Sequence, residues 1–168
     1  MTERRLYLVR HASAAERGPA YPDDSRRPLV AKGEQQARAL TRALRALGLS
    51  FDQLFSSPYT RAAQSAEPLA ALLKKGRHVQ YLDALTTSDY AQLLTDIRER
   101  LEPRDTYLAL VGHEPYLSEL SSYLLTGGPG LDVHFKKAAV LVAAGRLIPG
   151  AMRLEMLVPS SFYKRVSR

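Results

Sequence analysis

No cysteine occurs in the chain. Its absence excludes disulfides, thiolate metal sites and a cysteine nucleophile, so any group-transfer chemistry must use another side chain. Runs of five or six like charges are missing as well, although 24 Lys and Arg stand against 17 Asp and Glu for a net charge of +7. The cationic pieces Arg4-Arg5, Arg26-Arg27, Lys74-Lys75-Gly76-Arg77 and Lys136-Lys137 are short and dispersed, which reads as solvated surface and not as a nucleic-acid arm. Summed over the molecule, the excess attracts anions, phosphate groups among them. Long apolar runs are also lacking. Leu6-Tyr7-Leu8-Val9 is too short for a signal peptide, and no stretch approaches membrane-spanning length. The expectation is a cytoplasmic protein with neither nucleic acid nor membrane as a partner. No internal repeat, low-complexity linker or composition break divides the sequence, and 168 residues at 45% hydrophobic content suffice for one sizeable core. Residues 1–168 are therefore expected to form a single domain.

Periodicity supplies the elements. Leu6–Val9 reads as a buried strand ending at Arg10-His11. Three prolines and Asp23-Asp24-Ser25 make Gly18–Pro28 a loop and a candidate lid. Apolar positions 37, 40, 43, 44 and 47 recur at helical spacing across Lys32–Leu47, with Gly48 as the stop. Phe51–Phe55 predicts a brief strand, Tyr59–Leu73 a helix, Val79–Leu82 a strand and Ala91–Leu101 a helix. Thr106–Val111 is a strand that ends at Gly112-His113, Pro115 opens a helix through Leu125, and Gly127-Gly128-Pro129-Gly130 ends it. Ala138–Ala143 and Met152–Val158 read as two strands, antiparallel neighbours. Strands alternating with helices predict an α/β fold with a largely parallel central sheet. In such sheets clefts form at the carboxyl ends of strands.

That rule brings distant residues together. Arg10-His11 and Gly112-His113 both stand where a strand gives way to a loop, and Arg61 falls in the first turn of a helix after another strand. Two histidines and two arginines so placed are what phosphoryl binding and attack require. The motif Leu8-Val9-Arg10-His11-Ala12 resembles the first signature of the histidine phosphatase superfamily, also called phosphoglycerate mutase-like. Phe55-Ser56-Ser57-Pro58-Tyr59-Thr60-Arg61-Ala62-Ala63-Gln64-Ser65-Ala66 is similar to its second segment, and Val111-Gly112-His113-Glu114-Pro115 to its second-histidine segment, so three motifs stand in family order. The short length, Asp24-Ser25-Arg26-Arg27-Pro28-Leu29 and Gly112–Ser118 look most like the SixA-type phosphohistidine phosphatases. The resemblance implies a three-layer α/β/α sandwich, no cofactor, no metal, and removal of phosphate from a histidine of a phosphorelay protein.

The roles it implies agree with elementary chemistry. A neutral His11 imidazole is nucleophilic and can form a phosphoramidate that water then hydrolyses. Arg10 and Arg61 offer charged planar forks matched to phosphate. His113 adds a donor, expected to act in its protonated form. Arg27 is placed at the pocket rim with Asp24 beside it, as further substrate-binding residues. The wider family carries a glutamate general acid near Leu82-Asp83-Ala84-Leu85, where this chain has Ala84. Asp83 or Asp24 is left as the possible acid, and Asp83 reads better as a turn residue. Without an acid, an alkoxide is a poor leaving group, whereas imidazole needs less help. His78 and His134 receive no role. Glu114 lacks the spacing of a metal site, and the glycines at 127–130 lack the Lys-Ser/Thr of a P-loop. Competing readings are a phosphatase of small phosphate esters, a catalytically silent phosphoprotein-binding module, and a nucleic-acid binder supported by charge alone.

Overall fold

A computed structural model describes residues 2–166, with side chains described through residue 163. Its elements are β1 (Arg4–Arg10), α1 (Ala31–Ala46), β2 (Gln53–Ser56), α2 (Thr60–Ala66), β3 (Val79–Tyr81), α3 (Tyr90–Glu99), β4 (Tyr107–Gly112), α4 (Tyr116–Thr126), β5 (Val140–Gly145), β6 (Met152–Val158) and α5 (Ser160–Val166). Short 3₁₀ turns cover Asp24–Arg26, Pro68–Leu72 and Asp83–Thr86. The six strands lie in the order β3-β2-β4-β1-β5-β6. Pairing is parallel from β3 across to β1 and antiparallel at β1–β5 and β5–β6. This is the largely parallel sheet expected from the alternation of elements.

Alternate side chains of a strand point to opposite faces, and the central strands are apolar on both. Leu6, Leu8, Leu108 and Leu110 enter one core with Leu93 and Ile97 of α3 and Leu117 and Leu120 of α4. Tyr7, Val9, Ala109 and Val111 enter the other with Leu40 and Leu44 of α1, Ala62 of α2 and Tyr163 of α5. Helices on both faces complete a three-layer sandwich. At the two edges, β3 exposes Tyr81, and β6 exposes Leu154 and Met156 while Arg153 pairs with Glu3. Charge at an open edge discourages pairing with other chains.

Two local expectations are corrected and one element is added. The helix expected across Tyr59–Leu73 ends at Ala66 with Glu67 as its cap, because Pro68 has no N–H to continue the ladder; a 3₁₀ turn follows. The strand expected from Phe51 starts at Gln53, since Phe51 forms an isolated bridge with Leu73 at the end of that turn. The final helix α5 follows Pro159 and was not among the expected elements.

Candidate active site

Three adjacent parallel strands deliver the site. Arg10 of β1 lies in register with Gly112 of β4, and the His11 N–H donates to the Gly112 carbonyl at 2.9 Å. On the other side of β4, the Ser57 N–H donates to the Val111 carbonyl at 3.0 Å. The loops leaving β1, β4 and β2 thus begin side by side, and they carry His11, His113 and, one helical turn on, Arg61. The His11 and His113 rings are 5.2 Å apart between centroids, and the Tyr59 ring stands 5.0 Å from His113.

His11 is 4% exposed. Its Nδ1 is 2.8 Å from the Ala12 carbonyl, which can only accept, so Nδ1 carries the ring proton and Nε2 holds the lone pair. Arg61 Nε donates to that lone pair at 3.3 Å. Burial, followed by the charge of Lys137, pushes the His11 pKa down to about 2, so the ring is neutral. The loop behind it is tied down: the Ala12 N–H donates to Ser65 Oγ at 3.0 Å and the Ser13 N–H to Gln36 Oε1 at 2.9 Å.

His113 stands beside His11. Its Nε2 is 2.7 Å from Ser57 Oγ, its Nδ1 is buried without a partner, and burial, aided by Arg61, pushes its pKa down to about 3. In the free protein it is neutral, not protonated. Arg10 sends Nη1 to the Phe135 carbonyl at 2.6 Å and leaves its buried Nε unpaired.

Asp24 faces the arginines. Its carboxylate accepts from Arg61 Nη2 at 2.9 Å and Arg27 Nε at 2.7 Å, and Arg17 Nε is 3.0 Å away. Its carbonyl accepts from Arg61 Nη1 at 2.7 Å. Burial alone would raise its pKa, yet Arg27 and Arg61 hold it below the usual carboxylate range. An ionised carboxylate has no proton to give, and the bonds Asp24 makes orient arginines. Arg27, expected at the rim, is buried at 9% exposure, with Nη1 on the Ala15 carbonyl. Asp83 is exposed at the start of its 3₁₀ turn, and Ala84 is buried in the core. The groove outside the histidines is lined by Arg17, Tyr59, Thr86, Thr87, Ser88 and Glu119, without Asp83. His78 and His134 are exposed. Among the described residues, no three His, Cys, Asp or Glu side chains gather where they could hold a metal ion.

Sequence reasoning assigned no role to Ser57, Tyr59 or Lys137. Ser57 and Tyr59 stand in the segment that carries Arg61, immediately after β2, so the same strand-end rule could have selected them. Lys137 precedes a strand, and that rule selects only residues beyond a strand's carboxyl end.

A paired-histidine pocket above the carboxyl ends of parallel strands defines the class. The histidine phosphatase superfamily (branch 1) model matches residues 6–103, and the chain belongs to that superfamily. It is 36% identical over 151 residues to an uncharacterized protein of Picosynechococcus sp., covering 89% of this chain and 88% of that one. It is also 36% identical over 96 residues to the 8-oxo-(d)GTP phosphatase of Mycolicibacterium smegmatis, covering 57% of this chain and 29% of that protein. In structure it is similar to the protein histidine phosphatase SixA complexed with tungstate, with a TM-score of 0.80 at 19% identity over 94% of this chain and 98% of that one. At that identity the likeness is one of fold.

Proposed function

We propose that the chain acts as one phosphatase domain that removes phosphate from a phosphohistidine of another protein through a phospho-His11 intermediate. The observation that carries the reading is the His11 ring: neutral, buried, its Nδ1 proton committed to the Ala12 carbonyl and its Nε2 lone pair facing Arg61. Attack by Nε2 on phosphorus breaks the P–N bond of the substrate. The released imidazole takes the bonding electron pair and leaves neutral if its other nitrogen carries a proton. Water then attacks phosphorus, the electron pair returns to Nε2, and inorganic phosphate departs. Arg10 and Arg61 hold the equatorial oxygens, where charge spreads during transfer. An arriving phosphoryl dianion favours the imidazolium of His113, which then donates to it. Asp24 and Arg27 brace Arg61.

The phosphohistidine reading rests on the pocket's carboxylates. Asp24 is ionised among arginines, Glu114, raised by burial, is turned to the Ser118 hydroxyl, Glu119 is turned to the Tyr90 hydroxyl, and Ala84 offers no proton. An alkyl ester would have to leave as an alkoxide, a step that needs an acid. The similarity to a nucleotide phosphatase over 57% of the chain keeps small esters as the second reading. Measuring kcat/KM for a phosphorylated phosphotransfer domain, an aryl phosphate and an alkyl phosphate separates them. The expected order is phosphohistidine, aryl, alkyl, with Asp83→Asn unchanged. Preference for the alkyl ester, or collapse of ester turnover in Asp83→Asn, would overturn the phosphohistidine reading.

A further inference from the structure

The segment 135–139 wraps the Arg10-His11 dipeptide. The Phe135 carbonyl accepts from the Arg10 side chain, the His11 carbonyl accepts from the Ala138 N–H at 3.3 Å, and the Arg10 N–H donates to the Ala139 carbonyl at 3.1 Å. Between these bonds the chain closes a tight turn, in which the Ala139 N–H donates to the Lys136 carbonyl at 2.9 Å. Ala138 takes a left-handed φ of 58°, which its Cβ disfavours. The Tyr163 hydroxyl donates to the Ala138 carbonyl. Strained backbone persists only where its surroundings hold it, and it clusters at functional sites.

Lys137 is displayed by this turn. Its side chain is half-buried and, among the described residues, makes no ion pair. Burial first, then the charges of Arg10, Arg27, Arg61 and Arg17, bring its pKa down to about 8. It acts in turn on His11 and His113, helping to keep both neutral. The pocket's carboxylates do not pair with it: Asp24 is bound to arginines, Glu119 accepts from the Tyr90 hydroxyl, and Glu114 accepts from the Ser118 hydroxyl through Oε2, its buried Oε1 having no partner. A cation drawn from water among other cations lacks only an anion.

We propose that Lys137 is a catalytic residue whose ammonium grips a non-bridging oxygen of the substrate phosphoryl group beside Arg10 and Arg61, and stays on it during transfer to His11. It gives up no proton; it holds charge. The inference builds on phosphatase chemistry at His11 and extends to any phosphoryl substrate of this pocket.

Titration of the whole protein with inorganic phosphate tests it without turnover. Lys137→Met should raise the phosphate Kd tenfold or more and lower kcat/KM for the phosphorylated phosphotransfer domain by on the order of 10²-fold, the scale of losing one preorganised donor. Lys136→Met, on the exposed neighbour, should change neither. Parental phosphate affinity should fall more steeply above about pH 8 than that of Lys137→Arg, as Lys137 loses its proton, because any change at His113 on phosphate binding is common to both proteins. Lys137→Arg should bind phosphate and carry that affinity to higher pH. A parental Kd in Lys137→Met, or an unchanged alkaline loss in Lys137→Arg, would overturn the role of Lys137. If phosphate binding responds as expected but phosphohistidine is not turned over, the substrate reading fails and the Lys137 site stands.

Discussion

Arg61 illustrates how little freedom the pocket leaves a single side chain. Its three guanidinium nitrogens are all assigned, one to His11 and two to Asp24. The fork is therefore aimed before substrate arrives, and only its Nε bond must yield when His11 Nε2 attacks. Arg61→Ala should lower kcat/KM by on the order of 10²-fold or more. Arg61→Lys should recover little, since lysine keeps the charge but cannot reach His11 and Asp24 together. His11→Ala should abolish turnover and the acid-labile phosphoenzyme trapped by rapid quench. Near-parental turnover in His11→Ala would remove the nucleophile from the scheme, and full activity in Arg61→Lys would reduce the clamp to plain electrostatic attraction.

At the scale of elements, the loop after β1 is a packed joint. The Val30 N–H donates to the Ser13 carbonyl at 3.1 Å, and α1 meets that same carbonyl at Gly33, where a Cβ would stand 2.0 Å from the oxygen. No side chain fits there without moving helix or loop. Both carry site geometry, because Gln36 of α1 holds the Ser13 N–H. Gly33→Ala is expected to destabilise the protein by about 1–3 kcal/mol, the usual range for overpacking, and to lower kcat through displacement of His11. A denaturant melt beside steady-state kinetics checks both, and an unperturbed variant would mean that the joint yields more easily than its contacts imply. The break between α2 and the 3₁₀ turn belongs to the same scale, since Pro68 ends the helix once Arg61 and Ser65 have been placed.

For the whole molecule, the site imposes a pH dependence on folding. Both pocket histidines have folded-state values pushed down by burial, to about 2 and about 3, whereas an unfolded histidine titrates near 6.5. Below that pH the unfolded chain takes up protons that the folded chain refuses. Stability is then complete above about pH 6.5 and declines as pH falls toward 3, by up to ~1.4 kcal/mol per pH unit for each histidine. Asp24 and Asp52, both held below their ordinary values, add to the loss only at the acid end of that range. Unfolding free energy measured from pH 7 to 4.5 should slope downward, and His11→Asn with His113→Asn should flatten it. An equally steep slope in the double variant would place the titrating groups elsewhere.

Much of this protein was determined locally. Apolar alternation in 6–9 and 106–111 reports strands buried on both faces, and the same local pattern puts Arg10-His11 and Gly112-His113 at strand ends. A motif that depends on one turn of chain, such as Ser57 through Arg61, is written in adjacent residues. What the tertiary structure decided is everything that joins remote segments. That Asp24 is held ionised depends on arginines 3 and 37 positions away, and that His113 is neutral depends on burial, which no local pattern reports. Lys137 shows the reason most directly. β5 runs antiparallel to β1, so its amino end lies at the edge where the parallel strands present their carboxyl ends. Strand direction is a property of the assembled sheet, and only the assembled sheet brings Lys137, three residues before β5, to the side that carries the two histidines.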